Sequence, residues 1–190
     1  MNPTIGCIVP TMGRVLLARQ LGTILPQMVE GDQVLVVGDG PQPWAEQFCR
    51  GLIGRGVRYL EGPRTQCFGN AQRQAGLSSL ADVDLVCFGD DDDRFVQGSW
   101  VIMREAAEAA PGALLLGQFV DRHGMVVWRD QTIRQGNVST QCLCLPLTMA
   151  QRGTWGNRYE GDFDYVQSLM ALDPCPTVVW RPNVWQVCRG

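Results

Sequence analysis

The chain has 190 residues, 45% of them hydrophobic and 18% charged, a globular mix that fits one core and excludes disordered and fibrous classes. Its formal net charge of −3 excludes a protein that grips nucleic acid through a broad basic face. No window approaches the ~20 consecutive apolar residues of a membrane-spanning helix. Thr4 to Val9 is a first strand, stopped by Pro10, and Arg14 to Gln27 carries apolar residues at helical spacing. Gln33 to Val37 is a second strand, Pro43 to Leu52 a helix, and Val57 to Leu60 a short third strand. Gly69 to Leu80 follows as a helix, and Asp84 to Phe88 as a buried strand running into four consecutive aspartates. Ser99 to Ala110 is helical and stops at Pro111-Gly112. Apolar runs from Ala113 to Val120 and Met125 to Arg129 flank the turn Asp121 to Gly124. Thr140 to Leu145 is another strand, Asp162 to Leu172 a helix, and Thr177 to Trp185 a closing strand interrupted by Pro182.

Alternating strands and helices imply an α/β domain with a mainly parallel central sheet, helices on both faces and a smaller antiparallel portion near the C-terminus. We read residues 1–190 as a single domain, with a ligand-binding half over about 1–98 and an acceptor-side half over about 99–190. All sixteen basic residues are arginine. Eight cysteines include no C-x-x-C pair, and the opening MNPTIGCIVP lacks the basic and apolar regions of a signal peptide. The expectation is a cytoplasmic protein with reduced thiols.

Asp90, Asp91, Asp92 and Asp93 carry the strongest chemical signal. Four adjacent carboxylates repel one another, and ligands of open α/β sheets bind at the carboxyl ends of strands. A hard dication such as Mg²⁺ or Mn²⁺, bridging one or two carboxylates to substrate phosphates, would balance them. The plainer alternative is a solvated acidic loop. Asp39, in Gly38-Asp39-Gly40 at the end of the second strand, is either an acceptor for a base or ribose or an ordinary turn residue. Arg73 lies in a helix opened by Gly69, where backbone N–H groups and an arginine suit phosphate. Asp162 and Asp164 open the late helix, either as caps or as a general base.

Taken in order, these segments resemble the family 2 glycosyltransferases of the GT-A fold. Cys7-Ile8-Val9-Pro10-Thr11-Met12-Gly13-Arg14 looks like the family's first strand and its V-P-T-x-x-R turn. Gln33 to Gly40 is similar to the second strand ending in D-D-G, with Gly38 in the place of the first Asp. Arg73-Gln74-Ala75-Gly76-Leu77 matches R-N-x-G-L with Gln for Asn, and Phe88 to Asp93 corresponds to F-L-D-x-D-D. The likeness covers residues 4 to 100. It implies a metal-dependent sugar transfer from a nucleotide-sugar, a UDP-sugar being favoured, to an acceptor hydroxyl with inversion. Pro10, Thr11, Arg14, Asp39, Arg73, Asp90 and Asp91 would bind the donor, and Asp92, Asp93 and Asp90 would hold Mn²⁺ or Mg²⁺. Asp162 would be the base, with Asp164 as substitute.

No Q-x-x-R-W motif follows Asp162, which argues against a processive polysaccharide synthase. His123 is a possible late metal ligand, Trp155 a possible acceptor platform, and residues 153–157 a candidate lid. The acceptor stays open among a small molecule, a lipid-linked sugar, a protein side chain and a modified DNA base. Two rival readings are a nucleotidyltransferase with a related core and a nucleotide-sugar-binding module without activity.

Overall fold

In the computed structural model, which describes residues 2–188, a nine-stranded sheet runs through both halves of the chain. The elements in chain order are β1 (Ile5–Thr11), α1 (Leu16–Ile24), β2 (Gln33–Asp39), α2 (Pro43–Arg50), β3 (Val57–Gly62), α3 (Asn70–Ser79), β4 (Leu85–Phe88) and β5 (Asp93–Phe95). They continue with α4 (Ser99–Ala109), β6 (Leu114–Val120), β7 (Val126–Val127), β8 (Leu143–Pro146), α5 (Leu147–Ala150), α6 (Gly161–Met170) and β9 (Val178–Cys188). The strand order is β3-β2-β1-β4-β8-β6-β9-β5, with β7 paired to β6. β3, β2, β1 and β4 are parallel, whereas β8 is antiparallel to both β4 and β6. The α/β architecture with an antiparallel portion is thus the one expected.

Pleating sends alternate residues of each strand to opposite faces. Ile5, Cys7 and Val9 of β1 join one buried cluster with Leu17, Leu21 and Ile24 of α1 and Trp100 and Met103 of α4. Ile8 faces the other cluster, with Leu77 of α3 and Tyr165, Val166 and Leu169 of α6. Each such fully buried large apolar side chain contributes roughly 1.5–3 kcal/mol relative to exposure. The thiols of Cys7, Cys87 and Cys144 lie side by side in register across β1, β4 and β8, and no disulfide joins them.

Three local features depart from the sequence expectation. The acidic run feeds into β5, a three-residue strand paired antiparallel with β9, which the charged composition hides. Thr140–Cys142 forms a 3-10 turn, so β8 starts later than expected. β9 pairs parallel with β6 with register shifts around Gln118, is interrupted near Pro182 as expected, and runs on to Cys188 rather than stopping at Trp185. The crossing is tight: a Cβ on Gly117 would lie 2.0 Å from the buried Trp185 ring, so only glycine lets that indole lie across β6.

Topology positions the site. From β1 the chain winds through β2 to β3 on one side, then crosses to β4 on the other side of β1. The order reverses between β1 and β4, and the crevice outside their carboxyl ends is where ligands bind in open α/β sheets.

Candidate active site

A cavity of about 710 Å³ opens at that switch point. Pro10, Thr11, Met12 and Arg14 line it from the end of β1, Asp39 from β2, and Asp90, Asp91 and Asp92 from the turn after β4. Asn70, Gln72 and Arg73 of α3 form its floor, and Asp162 of α6 faces them together with Ser139, Thr140 and Gln141. Every expected donor-side residue therefore meets in one place, although the chain separates them by up to eighty-one positions.

The four aspartates do four different things. Asp90 pairs with the buried Arg73 and accepts from Gln141 Nε2 at 2.8 Å, yet its side chain remains 35% exposed. Asp91 is buried; it accepts from the Thr11 hydroxyl at 2.7 Å and the Met12 N–H at 3.3 Å, latching the turn after β1 to the acidic loop. Burial pushes its carboxyl up, and the Thr11 hydroxyl and Arg14 oppose that shift. Asp92 takes the Arg14 guanidinium at 2.7 Å. Asp93 turns away from the cavity into β5, where burial first and the neighbouring Asp90 second push its carboxyl up to about 8.

The three residues expected at a metal do not all line the cavity. Among the described residues no group of three or more His, Cys, Asp or Glu side chains could hold an ion, and Asp93 is buried outside the cavity lining. Asp90 and Asp92 do line the cavity, each partly exposed and each now balanced by a guanidinium. Two hard oxygen donors facing open space fit a dication that completes its shell with phosphate oxygens, and do not fit an all-protein cage. His123 lies on the exposed turn between β6 and β7 and does not line the cavity.

Arg73 organises the floor. Its Nη1 donates to the Phe68 carbonyl at 2.8 Å and to Asn70 Oδ1 at 3.3 Å, and its Nη2 holds Asp90. Its guanidinium lies 5.4 Å from the Trp155 ring centroid, and its buried Nε has no hydrogen-bond partner among the described residues. Gly69 makes this possible: its φ of +77° suits glycine, and a Cβ there would lie 2.9 Å from Pro10. Asp39 binds the segment after β3 by accepting from the Thr65 N–H at 2.7 Å, the Gln66 N–H at 3.0 Å and Gln72 Nε2 at 3.0 Å. It therefore shapes one wall as well as facing the cavity.

The two candidate bases separate clearly. Asp162 lines the cavity, and burial raises its carboxyl, with Asp90 adding to the rise while the Phe163 N–H and Arg73 oppose it. A carboxylate raised above its ordinary range is a better proton acceptor. Asp164 is outside the cavity lining and accepts from Arg158 Nε at 2.7 Å, which holds its carboxyl down. Of the two, Asp162 alone lines the cavity.

Trp155 is a core residue, not a platform: it stacks on Tyr165 at 4.1 Å between centroids and meets Phe88 edge-on. The segment expected as a lid is pinned by Thr154 N–H to Ser168, Trp155 N–H to Gln74 and Asn70 Nδ2 to the Gly156 carbonyl. Sequence reasoning also missed Gln141, whose amide joins Asp90 to Asp93 at 2.8 Å each. Its one signal is a glutamine inside an apolar run, too weak to read alone.

No family model and no curated protein matches the sequence. The fold, however, is shared with solved structures. Over 97% of this chain, residues 1–349 of S. aureus TarS superpose with a TM-score of 0.75 at 14% identity, covering 60% of that chain. A structure of TarS gives 0.78 over 98% of this chain at 13% identity, covering 37% of its own length. The chain has the GT-A-like fold of TarS. Residues 1–349 of TarS were also solved with UDP and with UDP-GlcNAc, and those structures match equally well, at a TM-score of 0.75. The chain spans 60% or less of the length of these neighbours.

Proposed function

We propose that the protein is a nucleotide-sugar-dependent glycosyltransferase of family 2 character, taking a UDP-sugar as donor and transferring the sugar to an acceptor hydroxyl with inversion. The observation that carries this reading is the meeting of Asp39, Arg14, Asp90 and Asp92 at the switch point with the raised carboxyl of Asp162 opposite. The UDP and UDP-GlcNAc complexes of TarS support the choice of donor.

In this reading Asp39 and the wall it holds receive the nucleoside, while Arg14 reaches the diphosphate with its planar fork. Asp92 and Asp90 would hold Mn²⁺ or Mg²⁺ against the phosphates, and the ion would offset the charge of the leaving nucleotide. Asp162 accepts the proton of the acceptor hydroxyl as its oxygen bonds to the anomeric carbon. The bond from that carbon to the diphosphate breaks, and the nucleoside diphosphate leaves with the electron pair. Arg73 keeps Asp90 oriented and bears on Asp162 through its charge.

Calorimetric binding and turnover test the reading together. UDP with Mn²⁺ should raise the unfolding midpoint by mass action, and Asp92→Asn should remove the metal-dependent part. Asp162→Asn should lower turnover by about 10²–10⁴-fold and leave UDP affinity unchanged. Loss of UDP affinity in a folded Asp162→Asn variant would take Asp162 out of the base role. Release of pyrophosphate from a nucleoside triphosphate would replace the reading with a nucleotidyltransferase.

A further inference from the structure

Two large aromatic side chains stand exposed at the cavity rim, next to the acidic wall. Phe68 is 59% exposed and Tyr159 is 74% exposed, and their rings meet edge to face at 5.2 Å between centroids. Both line the cavity together with Gln135, Glu160 and Asp162. Exposed apolar residues standing singly are ordinary, but here two rings adjoin at the mouth of a cavity.

Phe68 sits at φ +50°, a left-handed backbone that a bulky residue rarely adopts, and its carbonyl is tied to the buried Arg73. Strain of this kind persists where the surroundings over-determine it, and it gathers at ligand sites. Tyr159 rides on a segment whose Arg158 carbonyl accepts from buried Asn70 Nδ2 at 2.8 Å. One short stretch at the start of α3 therefore positions both rings, through Asn70 on one side and Arg73 on the other.

We propose that Phe68 and Tyr159 form the platform on which a neutral sugar ring of the acceptor packs. The proposal rests on the glycosyltransferase reading. An aromatic face takes the C–H face of a pyranose, and the polar groups beside it suit hydroxyls. Gln135 Nε2 donates to Glu160 at 3.2 Å, leaving further acceptor sites on that carboxylate. Glu160 and Asp162 make this wall acidic, and the nearby Arg158 is already paired with Asp164. Phosphate is repelled here, so the diphosphate belongs at Arg14 and the neutral ring at the aromatic pair. Asp162, on the same wall, is placed to take a proton from a hydroxyl of that ring.

Saturation-transfer NMR with methyl glycosides of glucose, galactose, mannose and N-acetylglucosamine tests this, with sorbitol as the open-chain control and with and without UDP. Wild-type protein should transfer to the ring C–H protons of at least one glycoside and not to sorbitol. Phe68→Asn keeps a residue that tolerates the left-handed backbone, and Tyr159→Ser alters only an exposed ring. Each should weaken the glycoside signal up to about tenfold, as loss of an aromatic contact does, whereas Tyr159→Phe restores it. UDP affinity should stay within about twofold in all three variants, since no nucleotide contact is removed. Absence of transfer from every glycoside, or equal transfer in wild type and both truncations, would overturn the platform. A drop in UDP affinity with glycoside signals intact would reassign the rings to the donor nucleoside. Wild-type protein that takes a glycoside but no UDP would keep the platform and remove the donor reading.

Discussion

Two arginine–aspartate pairs at opposite edges of the same sheet use the same chemistry for different ends. Arg104 and Asp32 meet at the amino-terminal edge, with side chains only 6% and 0% exposed. Asp32 also accepts from the Ile5 N–H at 2.8 Å and the Val29 N–H at 2.7 Å, and Arg104 Nε donates to the Pro3 carbonyl at 3.1 Å. That pair is closed. Arg73 and Asp90 meet at the carboxyl edge, where the arginine is buried with an unpartnered Nε and the carboxylate stays 35% exposed to the cavity. The first pair fastens the starts of β1 and β2 to α4, whereas the second keeps a charge facing the space where a ligand would sit. A buried charge is tolerable only with partners, and at the carboxyl edge one of the paired carboxylates is left open to the cavity.

Substitutions break or sharpen this contrast. Asp32→Ala should have the largest effect on stability, about 3–5 kcal/mol by denaturant unfolding, because it strands Arg104 in the interior. Replacing both partners by apolar residues should recover much of that loss; a double variant as unstable as the single one would deny that the pair is closed. Asp93→Asn should come next, and it is read from pH dependence. Asp93 is protonated in the folded chain up to about 8 but ionises near its ordinary value when unfolded, so between those values the native state binds the extra proton. Its contribution to stability therefore falls as pH rises through that interval, and the asparagine variant should show a flatter stability–pH curve. An unchanged slope would place the ionised form of Asp93 in the native state.

Asp90→Asn should cost less than Asp32→Ala, since this carboxylate is partly solvated and asparagine keeps an amide oxygen for the buried Arg73, but it should weaken UDP binding in the presence of Mn²⁺. A stability loss matching that of Asp32→Ala would erase the difference between the two edges. The smallest effect belongs to Asp164→Asn, which breaks a solvent-facing pair with Arg158 of the kind that contributes little to stability and should leave turnover intact. Turnover lost there and kept in Asp162→Asn would exchange the two roles.

The turnover of wild-type protein should follow the same electrostatics. Because burial raises Asp162, the acid limb of the rate profile should lie above the ordinary carboxylate range, with activity rising as the carboxyl loses its proton.

Apolar runs of four to eight residues, their helical counterparts and the order in which they alternate are local properties, and they determined the parallel half of the sheet from the sequence alone. So did the clustering of Thr11, Arg14, Asp39, Arg73 and the acidic run near strand ends, because strand ends at a switch point converge by topology. What only the tertiary structure decided is how four identical neighbours divide: Asp90 and Asp92 face the cavity, Asp91 latches to Thr11, and Asp93 enters β5 because β9, returning from the far end of the chain, supplies its partner. The same holds for Trp155, withdrawn into the core by Tyr165, and for Phe68 and Tyr159, joined at the rim although ninety-one positions separate them. Charge and hydropathy are written residue by residue, but burial and partnership are set by segments distant in the chain, and those decide which carboxylate or ring is left to meet a ligand.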